Sequence, residues 1–72
     1  MRGNFIYRRL GVRLISERKR KKLSQEQLAL LCDIDRTYVA RIEGGKANPT
    51  FRTLYKIARI LRIKLKKLFG DI

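Results

Sequence analysis

Residues 24–44 read Ser24-Gln25-Glu26-Gln27-Leu28-Ala29-Leu30-Leu31-Cys32-Asp33-Ile34-Asp35-Arg36-Thr37-Tyr38-Val39-Ala40-Arg41-Ile42-Glu43-Gly44. Two helix starts and two helix stops lie inside this run. Ser24 with Gln27 three residues on is a capping box, in which each side chain satisfies the other's backbone N–H. It predicts a helix to about Cys32, with Leu28 and Leu31 facing inward. Asp33-Ile34-Asp35 breaks that helix. Asp35 is a good N-cap for a second helix from Arg36 to about Gly44. Val39 and Ile42 are three apart and face the core. Gly44-Gly45 ends the second helix.

Two short helices joined by about three residues predict a helix-turn-helix, with axes crossing at roughly 90–120°. Ala29 is small where the helices cross. Asp33 sits where the turn wants a positive φ, which Asp tolerates better than most residues. Ile34, Val39 and Ile42 fill the wedge.

Helical periodicity continues on both sides. Ile6, Leu10 and Leu14 recur every four residues, with Phe5 and Ile15 beside them, so a first helix is expected from about Asn4 to Lys21. Gly11 weakens it slightly. After the loop Lys46-Ala47-Asn48-Pro49, Thr50 caps a helix from Phe51 to about Arg62, with Leu54, Ile57, Ala58 and Leu61 on one face. A last short helix holds Leu65, Leu68 and Phe69. The expected fold is all-α, a five-helix bundle forming one domain over residues 1–72.

Charge decides the class of partner. Nineteen Lys and Arg against six Asp and Glu give +13, which points to a polyanion. Residues 1–22 carry a net +8 and residues 46–72 a net +7, around a middle of net −2. His is absent and Cys32 is the single cysteine, so no general-base His, internal disulfide or zinc site is available. No enzyme, cofactor or metal is expected. The longest uncharged apolar run is Leu28 to Cys32, too short to span a membrane. Residues 1–9 lack the apolar stretch of a signal peptide, so a cytoplasmic location is expected.

Leu23-Ser24-Gln25-Glu26-Gln27-Leu28-Ala29, Arg41-Ile42-Glu43-Gly44-Gly45-Lys46-Ala47-Asn48-Pro49 and Leu54-Tyr55-Lys56-Ile57-Ala58 resemble the Cro/repressor-type (xenobiotic-response-element) helix-turn-helix family. The resemblance covers roughly residues 10–69. Asp35-Arg36-Thr37-Tyr38-Val39, with Phe5-Ile6 leading into the first helix, looks like the controller proteins of restriction–modification systems. Two positions depart from the pattern: the family's turn glycine is Asp33 here, and the glycine ending its first helix is Lys22.

The resemblance implies a dimeric, sequence-specific regulator of transcription. Its recognition helix would lie in the major groove with Arg36, Thr37, Tyr38, Ala40 and Arg41 toward the bases. Arg36 and Arg41 suit bidentate contact with guanine. Ser24, Gln25, Lys46, Asn48, Thr50 and Arg52 are the expected phosphate contacts, helped by a helix N-terminus at Ser24. Glu43 would repel phosphate if free, so it is expected to pair internally with Arg18 or Arg41. Cys32 reads as a buried, inert thiol, and Arg18 to Lys22 as a basic helix end that adds non-specific attraction.

Tyr55, Ile60, Ile63 and Leu65 remain after the core is filled. They make the apolar stripe too wide for one small core and point to a two-fold dimer on helices 4 and 5. Candidate partners are therefore double-stranded DNA, a second copy of the chain, and RNA polymerase. Two other functions compete: an antitoxin-type DNA-binding interaction module, and a basic amphipathic membrane-surface binder.

Overall fold

Five helices span the described residues, 2–69 of the chain, in a computed structural model. They are α1 (Arg2–Arg20), α2 (Gln25–Cys32), α3 (Arg36–Glu43), α4 (Phe51–Leu61) and α5 (Lys66–Phe69). The boundaries fall within two residues of the expected ones, except that Leu65 lies just before α5.

α2 packs on α3 and α4, and α1 packs on α3 and α5. One core unites them. Leu10 and Leu14 enter it from α1, Leu28, Ala29 and Cys32 from α2, and Val39 and Ile42 from α3. Leu54, Ile57, Ala58 and Leu61 come from α4, and Leu68 from α5. Each large aliphatic side chain buried here contributes about 1.5–3 kcal/mol. Ile34 packs against this core from the α2–α3 turn, as the wedge requires.

Four helix ends close in the same way. An N–H past the helix reaches back five residues, and the N–H before it reaches back three. The pairs are Leu23 to Arg18 and Lys22 to Lys19, Ile34 to Ala29 and Asp33 to Leu30, Lys46 to Arg41 and Gly45 to Ile42, and Ile63 to Ala58 and Arg62 to Arg59. Each is a Schellman motif, which needs one residue at positive φ. Those residues are Lys22, Asp33, Gly45 and Arg62, at φ 60°, 59°, 73° and 58°. Only one is glycine. A side chain in this region costs roughly 1–2 kcal/mol, and here the carbonyls satisfied at each helix end offset it.

Two local expectations are corrected, and one apolar pair lies outside the core. Leu31 does not face inward and is 55% exposed, because α2 turns Leu28, Ala29 and Cys32 toward its neighbours instead. Ile6 and Phe5 continue the helical period of α1 but are exposed; the buried part of α1 begins at Leu10. Asp35 holds the N-cap position with extended backbone, yet its side chain accepts no capping bond.

Gly11 carries more than a small propensity cost. A Cβ there would lie 2.5 Å from the Glu43 carbonyl oxygen and 2.7 Å from that of Ile42. The missing side chain is what lets α1 touch the C-terminal end of α3.

Candidate nucleic-acid interface

The outward side of α3 follows from its inward side. With Val39, Ile42 and Glu43 buried, helical geometry turns Thr37 and Arg41 outward on one ridge, four residues apart. Arg36, Thr37 and Arg41 are exposed. Ala40 and Tyr38 flank the ridge half-buried, and Tyr38 leans on the core. α3 is eight residues long, about 12 Å at 1.5 Å per residue, short enough to lie in a major groove.

Of the expected phosphate contacts, Gln25 and Lys46 are tied to the C-terminal end of α3. Gln25 Nε2 donates to Glu43 Oε1 at 2.9 Å, which brings the start of α2 beside the end of α3. Arg41 donates from its guanidinium to the Lys46 carbonyl at 3.0 Å, tying the ridge to the loop. Lys46 and Asn48 are exposed on that loop, and Arg52 is exposed in the first turn of α4.

Both hydroxyls in the set are helix caps. Ser24 Oγ accepts from the Gln27 N–H at 3.0 Å while Gln27 Oε1 accepts from the Ser24 N–H at 2.8 Å. Thr50 Oγ1 accepts from the Thr53 N–H at 3.1 Å. The remaining first-turn N–H groups of α2 and α4 give each of these ends a partial positive charge. Gln25 stands apart from the others: it is half-buried, and its amide already holds Glu43.

Glu43 is removed from the surface by a buried network. Arg18 Nε donates to its Oε2 at 2.6 Å and Arg18 NH2 to its Oε1 at 3.0 Å. Arg18 NH1 also donates to the Leu23 carbonyl at 2.7 Å. Of the two partners expected for Glu43, Arg18 takes the role. The hydrogen bonds to Glu43 raise the Arg18 pKa, against the opposing effect of burial. One carboxylate thus joins α1, α2 and α3, and its charge is paired rather than free at the C-terminal end of α3. Desolvation in the core pushes the Cys32 thiol up, although Lys56 pulls the other way. That holds it as the unreactive thiol.

The four residues left over for dimerisation do not form one stripe. Tyr55 is 51% exposed, and Phe51, one turn earlier on the same side, is 70% exposed. Ile60, Ile63 and Leu65 are half-buried against the core. At 100° per residue, Tyr55 and Ile60 sit about 140° apart around α4, with Lys56 and Arg59 between them. Phe51 was not singled out from sequence. Its spacing from Tyr55 was the available signal, but position 51 read simply as the start of α4.

A family model described as helix-turn-helix matches residues 14–68 of the chain. Among curated relatives, the control protein C.MunI of a Mycoplasma species is 47% identical over 96% of this chain and 95% of its own. The immunity repressor protein of Bacillus phage phi105 is 37% identical over 86% of this chain and 43% of its own. Among solved structures, the restriction–modification controller protein C.AhdI from Aeromonas hydrophila superposes with a TM-score of 0.85. It is 40% identical and is matched over 88% of this chain and 96% of that one. No helix among the described residues is long and apolar enough to cross a membrane.

Proposed function

Because the chain belongs to the helix-turn-helix family of DNA-binding regulators, and to its controller-protein type, we propose that it reads a two-half-site operator as a dimer. The activity is binding rather than catalysis. The observation that carries the reading is the ridge of α3. It presents Thr37 and Arg41 outward, Arg36 is exposed at the first turn, and the one acid of the helix is buried against Arg18. The likeness to the restriction–modification controller protein C.AhdI supports control of a restriction–modification operon as the setting. Contact with RNA polymerase and a cytoplasmic location belong to the same reading.

In this reading Arg36, Thr37 and Arg41 meet base edges, with Tyr38 and Ala40 at the margins. Ser24, Gln25, Lys46, Asn48, Thr50 and Arg52 hold the backbone. The test separates base reading from phosphate gripping. Arg36→Ala costs about 1–3 kcal/mol per half-site and relaxes preference at one base pair. Arg36→Lys rescues only in part, since an ammonium lacks the planar fork. Arg52→Ala weakens all sequences about equally and lowers the salt slope by about one per subunit. Titrations against a panel of single-base changes check both. Equal weakening of every sequence by Arg36→Ala would make it a phosphate clamp.

Dimerisation centres on Tyr55 and its neighbour Phe51, with Ile60, Ile63 and Leu65 contributing what their half-burial leaves. A lone recognition helix reads few base pairs, whereas two read half-sites one turn apart. Tyr55 is the residue to change, because it is exposed and its loss leaves the core intact. Tyr55→Asp sediments as a folded monomer with weakened operator binding. A wild type that is monomeric at tens of micromolar, a dissociation constant worth roughly 5–7 kcal/mol, removes this part of the proposal.

A further inference from the structure

A second concentration of charge lies in a groove between α1 and the α4–α5 turn. Arg13, Arg20, Arg62, Lys64, Lys66 and Lys67 line it. Its remaining lining residue is Ile63. Glu17 lies near in sequence but is buried, and its Oε1 accepts from Arg20 Nε at 3.3 Å. It offsets one of the six cations.

This groove faces away from the recognition helix. Gly11 marks the side of α1 that touches α3, since a Cβ there would meet the Glu43 backbone. Arg13 and Arg20 are two and nine residues further on, about 200° and 180° around the helix at 100° per residue. The left-handed turn at Arg62 (φ 58°) ends α4, and α5 packs on α1. Lys64, Lys66 and Lys67 thereby come to line the same groove as Arg13 and Arg20. A duplex seated on α3 does not reach that side of α1 without bending around the protein.

The lining selects among polyanions. Single-stranded nucleic acid is held by cations interleaved with aromatic stacking platforms, and this groove has no aromatic ring. A membrane surface asks for a broad apolar face beside the cations, and Ile63 alone does not supply one. Duplex DNA asks only for cations, because it presents a rigid double row of phosphates, one charge per about 1.7 Å of axis. We propose that the groove is a second double-stranded DNA-binding surface, indifferent to sequence, which holds a segment other than the one α3 reads. Ile63 is common to this groove and to the dimer contact proposed above. Burying this groove in a two-fold contact would set six cations against six.

The operator-bound arm of the test rests on the regulator reading. An operator duplex selected from random sequence is fixed to beads, saturated with protein at about 50 mM salt and washed. A fluorescent non-operator duplex is then added. Wild-type protein captures it. The variant Lys64→Gln/Lys66→Gln/Lys67→Gln melts at the wild-type temperature and binds operator within about threefold of wild type. It captures the second duplex at least about tenfold less, having lost three phosphate partners. A second arm uses protein carrying Arg36→Ala and Arg41→Ala, in which adding the three Gln changes lowers binding to the non-operator duplex. It tests the groove even where no operator sequence is enriched, an outcome that would sink the regulator reading alone. Undiminished capture by the triple variant overturns the proposal. So does a loss of operator affinity in equal proportion, which would put the groove in the operator footprint. Wild-type protein that captures anionic vesicles or polyglutamate but no duplex also overturns it.

Discussion

Replacing Glu43 with Ala lowers the stability of the fold by about 3–5 kcal/mol, the usual cost of stranding one half of a buried ion pair. Arg18 is the stranded half: its side chain is 10% exposed and its forked contact with Glu43 is 2.6 Å at the shorter bond. Gln25 loses its acceptor as well. For a domain of this size each kcal/mol moves the melting temperature by about 4–8 °C, so thermal denaturation shows a drop of at least about 12 °C. The double variant Arg18→Met/Glu43→Leu recovers much of the loss, because an apolar pair of similar volume does not carry the desolvation cost of two charges. A loss below about 1 kcal/mol for Glu43→Ala would mean that the pair behaves like a solvated surface bridge.

Operator affinity falls by roughly 10³–10⁵ between about 50 and 200 mM salt. The range follows if the proposed dimer neutralises about 6–10 phosphates and releases their counterions. Lys46 and Arg52 of each protomer are expected to lead that set, within a chain of +13. The slope of log affinity against log salt is the quantity to measure. It drops by about one per subunit in Arg52→Ala. It stays near the wild-type value in the Lys64, Lys66 and Lys67 variant, whose charges face another duplex. A flat salt response would place the basic residues in solvent and remove the phosphate-contact assignments.

Much of the architecture was legible because short-range chemistry writes it. The capping box at Ser24 and Gln27, the cap at Thr50 and the apolar period of α4 depend on neighbours within four residues. The structure meets each of them. The outward ridge of α3 was legible for the same reason: once Val39 and Ile42 are buried, helical geometry places Thr37 and Arg41. What was misread sits where a neighbouring element chooses between two adjacent positions. Leu28 and Leu31 both suit an inward face by spacing. Which one is buried depends on where α3 and α4 press against α2.

By itself, the sequence determined the all-helical class, the start and stop of the helix-turn-helix, and the basic, His-free composition suited to a polyanion. These follow from caps, spacing and charge, all properties of a residue and its near neighbours along the chain. The tertiary structure alone decided the rest. It chose Arg18 over Arg41 for Glu43, a contact spanning 25 positions. It turned Gly11 from a weak helix residue into the close approach of α1 to α3. It divided Tyr55 from Ile60 around α4, and it gathered cations from residues 13–67 into one groove on the far side of α1. Contacts between residues distant in sequence are set by how the helices pack together, and no local pattern encodes which distant side chain will arrive.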